Sequence, residues 1–124
     1  MELSQNHKKL ISLILVIFFG LSLVIAGLDK FFNILDNWVA FLNPKLVPFP
    51  IAPGLFMRLV GVFEVLLGLS LFTRWRKTAG YITATWFLLI SINLLSLNLN
   101  YIAFTDILRA GGAILLAELS ESAI

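Results

Sequence analysis

The chain has 124 residues, 60% of them apolar and 13% charged, with a net charge of +2. A soluble domain carries about 25% charged residues, so the composition reads as one small membrane domain and excludes an ordinary soluble globule. The basic residues form no extended patch, which argues against a nucleic-acid partner. The absence of cysteine removes disulfides, thiol redox chemistry, iron–sulfur ligation and covalent haem attachment.

A spanning helix needs about 20 mostly apolar residues. The first such stretch is 10–28, which carries no charge. Lys8, Lys9 and the later Val24-Ile25-Ala26 give it the look of a signal peptide. The apolar run is too long for that, so a retained span is expected. His7 lies in the polar segment before it, where a lone histidine is solvated rather than a metal ligand, since metal sites need several ligands.

The segment that follows is not a polar linker. Phe31, Phe32, Ile34, Leu35, Trp38, Val39, Phe41 and Leu42 recur at spacings of three and four, which predicts an amphipathic interfacial helix over 31–42. Pro44, Pro48, Pro50 and Pro53 end it. The second span is expected over 54–72, opening at Pro53-Gly54, where a proline is well tolerated. Gly54, Gly61 and Gly68 stand at seven-residue spacing and mark a packing face, because small residues let membrane helices approach closely. The third span covers 79–97, with Asn93 on a stripe with Trp86, Ile90 and Leu97. The fourth, 101–119, is the weakest, because Asp106 and Arg109 interrupt it. Its small face holds Ala110, Ala113 and Ala117.

The fold class expected is therefore all-α: an integral membrane four-helix bundle, one domain over 1–124, with a short amphipathic helix in the first outer loop. Short connections make neighbouring helices antiparallel. Lys8, Lys9, Arg74, Arg76 and Lys77 fall on the side of the termini, against Lys30 and Lys45 on the other. The positive-inside bias then places both termini in the cytoplasm. The turn Arg74-Trp75-Arg76-Lys77 reads first as that orientation signal and second as a contact for anionic lipid head groups.

Charges inside the spans carry the functional signal. Each costs roughly 2.5–3.5 kcal/mol on insertion scales, so they face partners or a cavity. At about 1.5 Å per residue, Arg58 lies roughly 6 Å below the outer end and Glu64 about 15 Å below it. Asp106 and Arg109 lie at about 5–7 and 10–12 Å, and Asn93 at about 6 Å. Asp29 and Lys30 close the first span at the same edge. The expectation is one inward cluster, with Arg58 meeting Asp106 or Asp29, Glu64 meeting Arg109, and Asn93 adding hydrogen bonds. Asp106 and Arg109 can also neutralise each other within one helix, and Arg58 can snorkel. Glu64 is deepest and cannot snorkel, which makes it the candidate functional group. No catalytic residue and no metal site is expected.

The pattern resembles the DoxX family of small four-helix bacterial membrane proteins. The carriers are Gly27-x-x-Lys30, Glu64-x-x-x-Gly68-x-x-Leu71, Arg74 in the inner turn, and Asp106 followed by Gly112-x-x-Leu115-Leu116. Lys8 and Lys9 stand where many members carry an arginine before the first helix. The resemblance implies a four-helix bundle in a bacterial inner membrane. It also implies links to membrane redox systems, such as a thiosulfate:quinone oxidoreductase subunit.

Three functions compete. The first is a non-catalytic accessory or assembly subunit of a larger, redox-related membrane complex, with other membrane subunits or a second copy of the chain as partner. The second is a site for a quinone, lipid or similar amphiphile beside Glu64, with Arg109 and Asn93 as polar contacts and Trp86 or Phe63 as apolar wall. Transport ranks last, since four short spans are few for it. No resident cofactor is expected beyond such a quinone or lipid.

Overall fold

The computed structural model describes residues 4–120, which form four α-helices and no strand. They are α1 (Gln5–Phe32), α2 (Pro53–Ser70), α3 (Arg76–Ser96) and α4 (Asn100–Leu119). Helices α1, α2 and α3 are each long and apolar enough to cross a membrane; α4, interrupted by Asp106 and Arg109, is not counted with them.

Local chemistry sets the ends. Ser4 caps α1 by accepting from the His7 N–H at 3.3 Å. Asn33 ends it at φ 52°, a left-handed conformation that asparagine tolerates. The first helix thus runs four residues past the expected 28, and the helix expected over 31–42 does not form. Residues 31 and 32 finish α1, and Trp38–Phe41 make one 3-10 turn, with a second at Pro44–Leu46. The reason lies in Asp29, whose carboxylate captures the N–H groups of Ile34 and Leu35, both at 2.9 Å. Such side-chain bonds offer the backbone an alternative to helix. Pro53 opens α2, and Arg76 Nε donates to the Leu71 carbonyl at 3.0 Å behind its end.

The helices pair as α1 with α2 and α3 with α4, both antiparallel. In the first pair Gly27 faces Gly61 and Gly20 faces Gly68. A β-carbon on Gly61 would stand 2.5 Å from the Gly27 carbonyl oxygen, and one on Gly27 would stand 2.6 Å from that of Gly61. The two backbones are in direct contact. In the second pair Gly80 lies against Ala117, and Ser91 Oγ donates to the Ala103 carbonyl at 3.2 Å. Helices α1 and α4 meet where the Phe19 ring fills the space over Gly112. Helices α2 and α3 touch where Phe63 packs edge-on against Trp86, ring centroids 4.8 Å apart.

The apolar core contains Val16, Phe19, Leu67, Leu71, Ala79, Phe87, Ala110, Ala113 and Leu116. Most of these sit in the half of the bundle toward the ends of the described chain. Outside, Leu13, Ile14, Leu59, Leu66 and Ile92 are exposed in an apolar surface. So large an apolar surface marks contact with lipid or another protein rather than water. Gly54 is a departure from the sequence pattern: open space surrounds it. Because 20 pairs with 68 and 27 with 61, position 54 would fall opposite residue 34, after α1 has ended.

Candidate functional site

In the opposite, loop-bearing half, all four helices surround a cavity of about 840 Å³. Residues 36–46 close over its top through Trp38, Phe41, Leu42 and Leu46. Its wall is mostly apolar, with Phe18, Phe19, Leu23, Met57, Val60, Phe87 and Ile90 among the lining side chains. Lys30, Glu64, Asn93, Asp106 and Arg109 also reach it.

Glu64 is 3% exposed and pairs with Lys30, not with Arg109. Lys30 Nζ stands 2.5 Å from Oε1, off the direction of a hydrogen bond, so the contact is ionic. Oε2 accepts from Trp86 Nε1 at 2.9 Å. The ammonium also lies 3.9 Å from the centroid of the Trp38 ring, a cation–π contact, and 3.4 Å from the Ala26 carbonyl. Helix geometry explains the meeting. Side chains lean toward the N-terminus of their own helix. In antiparallel α1 and α2 those leans converge on the Gly27–Gly61 crossing, from Lys30 on one side and Glu64 on the other.

Arg109 NH1 pairs instead with Asp106 Oδ1 within α4, at 3.0 Å. The two side chains differ in access: 6% exposed for Asp106, 51% for Arg109. Arg58 stays outside the cluster. It is exposed on α2, and no ion pair joins it to Asp106, Asp29 or any other described residue. Asp29 serves the loop, accepting from Ile34 and Leu35 and from Trp38 Nε1 at 2.8 Å.

Asn93 latches the loop to α3. Its Nδ2 donates to the Phe41 carbonyl at 2.6 Å, and its Oδ1 accepts from the Asn43 N–H at 2.8 Å. Asn43 Nδ2 donates to Ser96 Oγ at 2.9 Å beside it. Asp29 and Asn93 together hold the loop over the cavity from two helices. Of the packing residues read from the sequence, Gly61, Gly68 and Ala113 are buried at helix contacts and Gly54 is not.

Sequence reasoning missed the roles of Trp38 and Lys30. Trp38 read as part of the apolar face of the 31–42 helix, and Lys30 as a member of the polar cluster at its outer edge with no partner assigned. The usable signal was the repeat of glycine followed three positions later by a charge, Gly27…Lys30 and Gly61…Glu64, in two helices expected to run antiparallel. Among the described residues no three His, Cys, Asp or Glu side chains gather as metal ligands. Comparison with protein families, characterised proteins and solved structures finds no match to the chain.

Proposed function

We propose that this protein is a four-span membrane protein that binds a small amphiphile, of the quinone or lipid kind, in the loop-end cavity beside Glu64. One observation carries the reading: about 840 Å³ of mostly apolar space with two ion pairs and a latched loop at its wall. Ligand sites of roughly 300–1,000 Å³ with few polar groups are the usual form. In this reading α4 is the fourth span. Its two charges are tolerated because Asp106 is buried against its neighbours and Arg109 neutralises it. Both termini lie on the cytoplasmic side of a bacterial inner membrane, as the Lys/Arg bias favours. The site suits holding more than turnover, because its deepest carboxylate is committed to Lys30 and Trp86.

Two of the three tryptophans, Trp38 and Trp86, line the cavity. A brominated amphiphile that enters it quenches them. Ala26 also lines the cavity, so Ala26→Phe fills the space and is expected to weaken that quenching at least tenfold while the protein stays folded. Quenching that is unchanged in Ala26→Phe overturns the reading.

Arg58 favours a second reading, an accessory subunit of a larger, redox-related complex as the DoxX resemblance suggests. It is an exposed cation with no ion pair among the described residues, on an apolar helix flank, and such a group suits an acidic side chain of a neighbouring subunit. Loss of a co-purifying membrane partner in Arg58→Leu tests it.

A further inference from the structure

The cavity's polar groups are not equally available to an occupant. Lys30 and Glu64 are 6% and 5% exposed at their side chains and occupied with each other. Trp86 Nε1 is taken by Glu64 and Trp38 Nε1 by Asp29. Asn93 holds the loop with its Oδ1 and with one of its two Nδ2 N–H groups. Asp106 is 6% exposed. Arg109 differs: its side chain is 51% exposed, and among the described residues its one hydrogen bond runs from Nη1 to Asp106. A guanidinium has five N–H donors in a fixed fork, so most of that fork is open.

Charge balance narrows the match. Lys30 with Glu64 and Asp106 with Arg109 are neutral pairs, and the remaining charged lining residue, Asp36, sits on the exposed loop. A carboxylate head would add an uncompensated negative charge at depth, and an ammonium would meet a cation. A neutral oxygen acceptor can accept from the open N–H groups and leaves both pairs neutral.

From this we infer that Arg109 is the specificity-determining residue of the cavity, and that the occupant is an apolar molecule ending in a neutral carbonyl-type acceptor. The inference rests on the cavity being a ligand site. Hydrogen bonds to charged groups are the stronger class, so the head group is expected to improve binding about tenfold over the bare chain.

The test uses four photoreactive probes sharing one alkyl chain, added to the full protein in lipid nanodiscs: a methyl ketone, a carboxylic acid, a primary amine and the hydrocarbon alone. The ketone is expected to label the cavity about tenfold better than the hydrocarbon and better than the acid or amine. Asp106→Leu combined with Arg109→Met removes both charges together, a change that buried pairs often tolerate. It is expected to bring the ketone down to the hydrocarbon level and leave the hydrocarbon unchanged. Should that variant not fold, Asp106→Asn with Arg109→Met makes the same comparison. A stronger acid or amine, or a ketone advantage that survives the double substitution, overturns the head-group inference while the cavity reading stands. If even the hydrocarbon and ketone leave the wild-type cavity unlabelled, the cavity reading falls and this inference with it.

Discussion

The two halves of the bundle use the same four helices to opposite ends. Toward the chain ends, Gly20, Gly68, Gly80, Ala113 and Ala117 bring helices into close contact, and the core is apolar. At the loop end the helices border open space, and two ion pairs are set into its mostly apolar wall. In hydrocarbon there is little hydrophobic drive between helices, so close approach of small residues supplies the association. The difference shows a division of labour: one half holds the helices together so that the other can remain open. Breaking each half separately tests that division.

The largest effect is expected at the α1–α2 seam. Gly61→Leu places a side chain where even a β-carbon meets the Gly27 carbonyl and Lys30 Cβ. Neither a helix backbone nor a buried lysine stem can withdraw freely. The expected cost is about 3 kcal/mol or more, the upper range for overpacking, read by unfolding in mild detergent. Stability within about 1 kcal/mol of wild type would mean that the seam does not hold the bundle together.

Glu64→Gln comes next. It leaves Lys30 buried at 7% exposure without a counter-charge. Removing one partner of a buried pair is costly, but the Gln amide oxygen can still accept from Lys30 and Trp86. The expected loss is about 2–3 kcal/mol, whereas replacing both with apolar side chains is often neutral. Lys30→Met combined with Glu64→Leu should therefore recover most of the loss. A neutral single variant would show that water reaches Lys30 and that the loop half is wetter than its exposures indicate. A smaller effect, about 1–3 kcal/mol, is expected for Asn93→Leu, which strands the Phe41 carbonyl and the Asn43 N–H. Its sharper readout is faster hydrogen exchange at Asn43, with α3 and α4 protected as before.

What could be read from the sequence was what one helix decides alone. Apolar length placed the four helices, three of them long and apolar enough to cross a membrane. The spacing of small and charged residues placed Glu64 and Asp106, though not Arg58, on inward faces. What could not be read was set between segments. Lys30 finds Glu64 because α1 runs past residue 28 and crosses α2 at Gly27 and Gly61. The glycine-then-charge spacing marks each side of that crossing, but nothing within one helix fixes which two marks meet. The outer loop failed for a related reason. Its periodicity favours helix, but Asp29 competes for the N–H groups of Ile34 and Leu35 and wins. Arg109 kept to Asp106 because an i,i+3 partner is always within reach, while a partner on α2 depends on packing.

The smallest expected effect discriminates most finely between the two halves. Gly54 and Gly61 belong to one seven-residue stripe in the sequence, yet they meet different surroundings. An added β-carbon at 54 meets nothing within 4 Å; at 61 it meets a backbone oxygen at 2.5 Å. Alanine is favoured over glycine in a helix by up to about 1 kcal/mol, and less in the first turn, where Gly54 sits directly after Pro53. Gly54→Ala should therefore be neutral or stabilising by a few tenths of a kcal/mol, while Gly61→Ala destabilises, because the shift it demands separates two helix backbones. Opposite signs from the same substitution in one stripe would fix where the seam ends and the cavity begins. A loss at Gly54 comparable to that at Gly61 would instead mean that α2 is packed against something at its loop end, and Arg58, one turn further along on the same helix, is where that contact should then be sought.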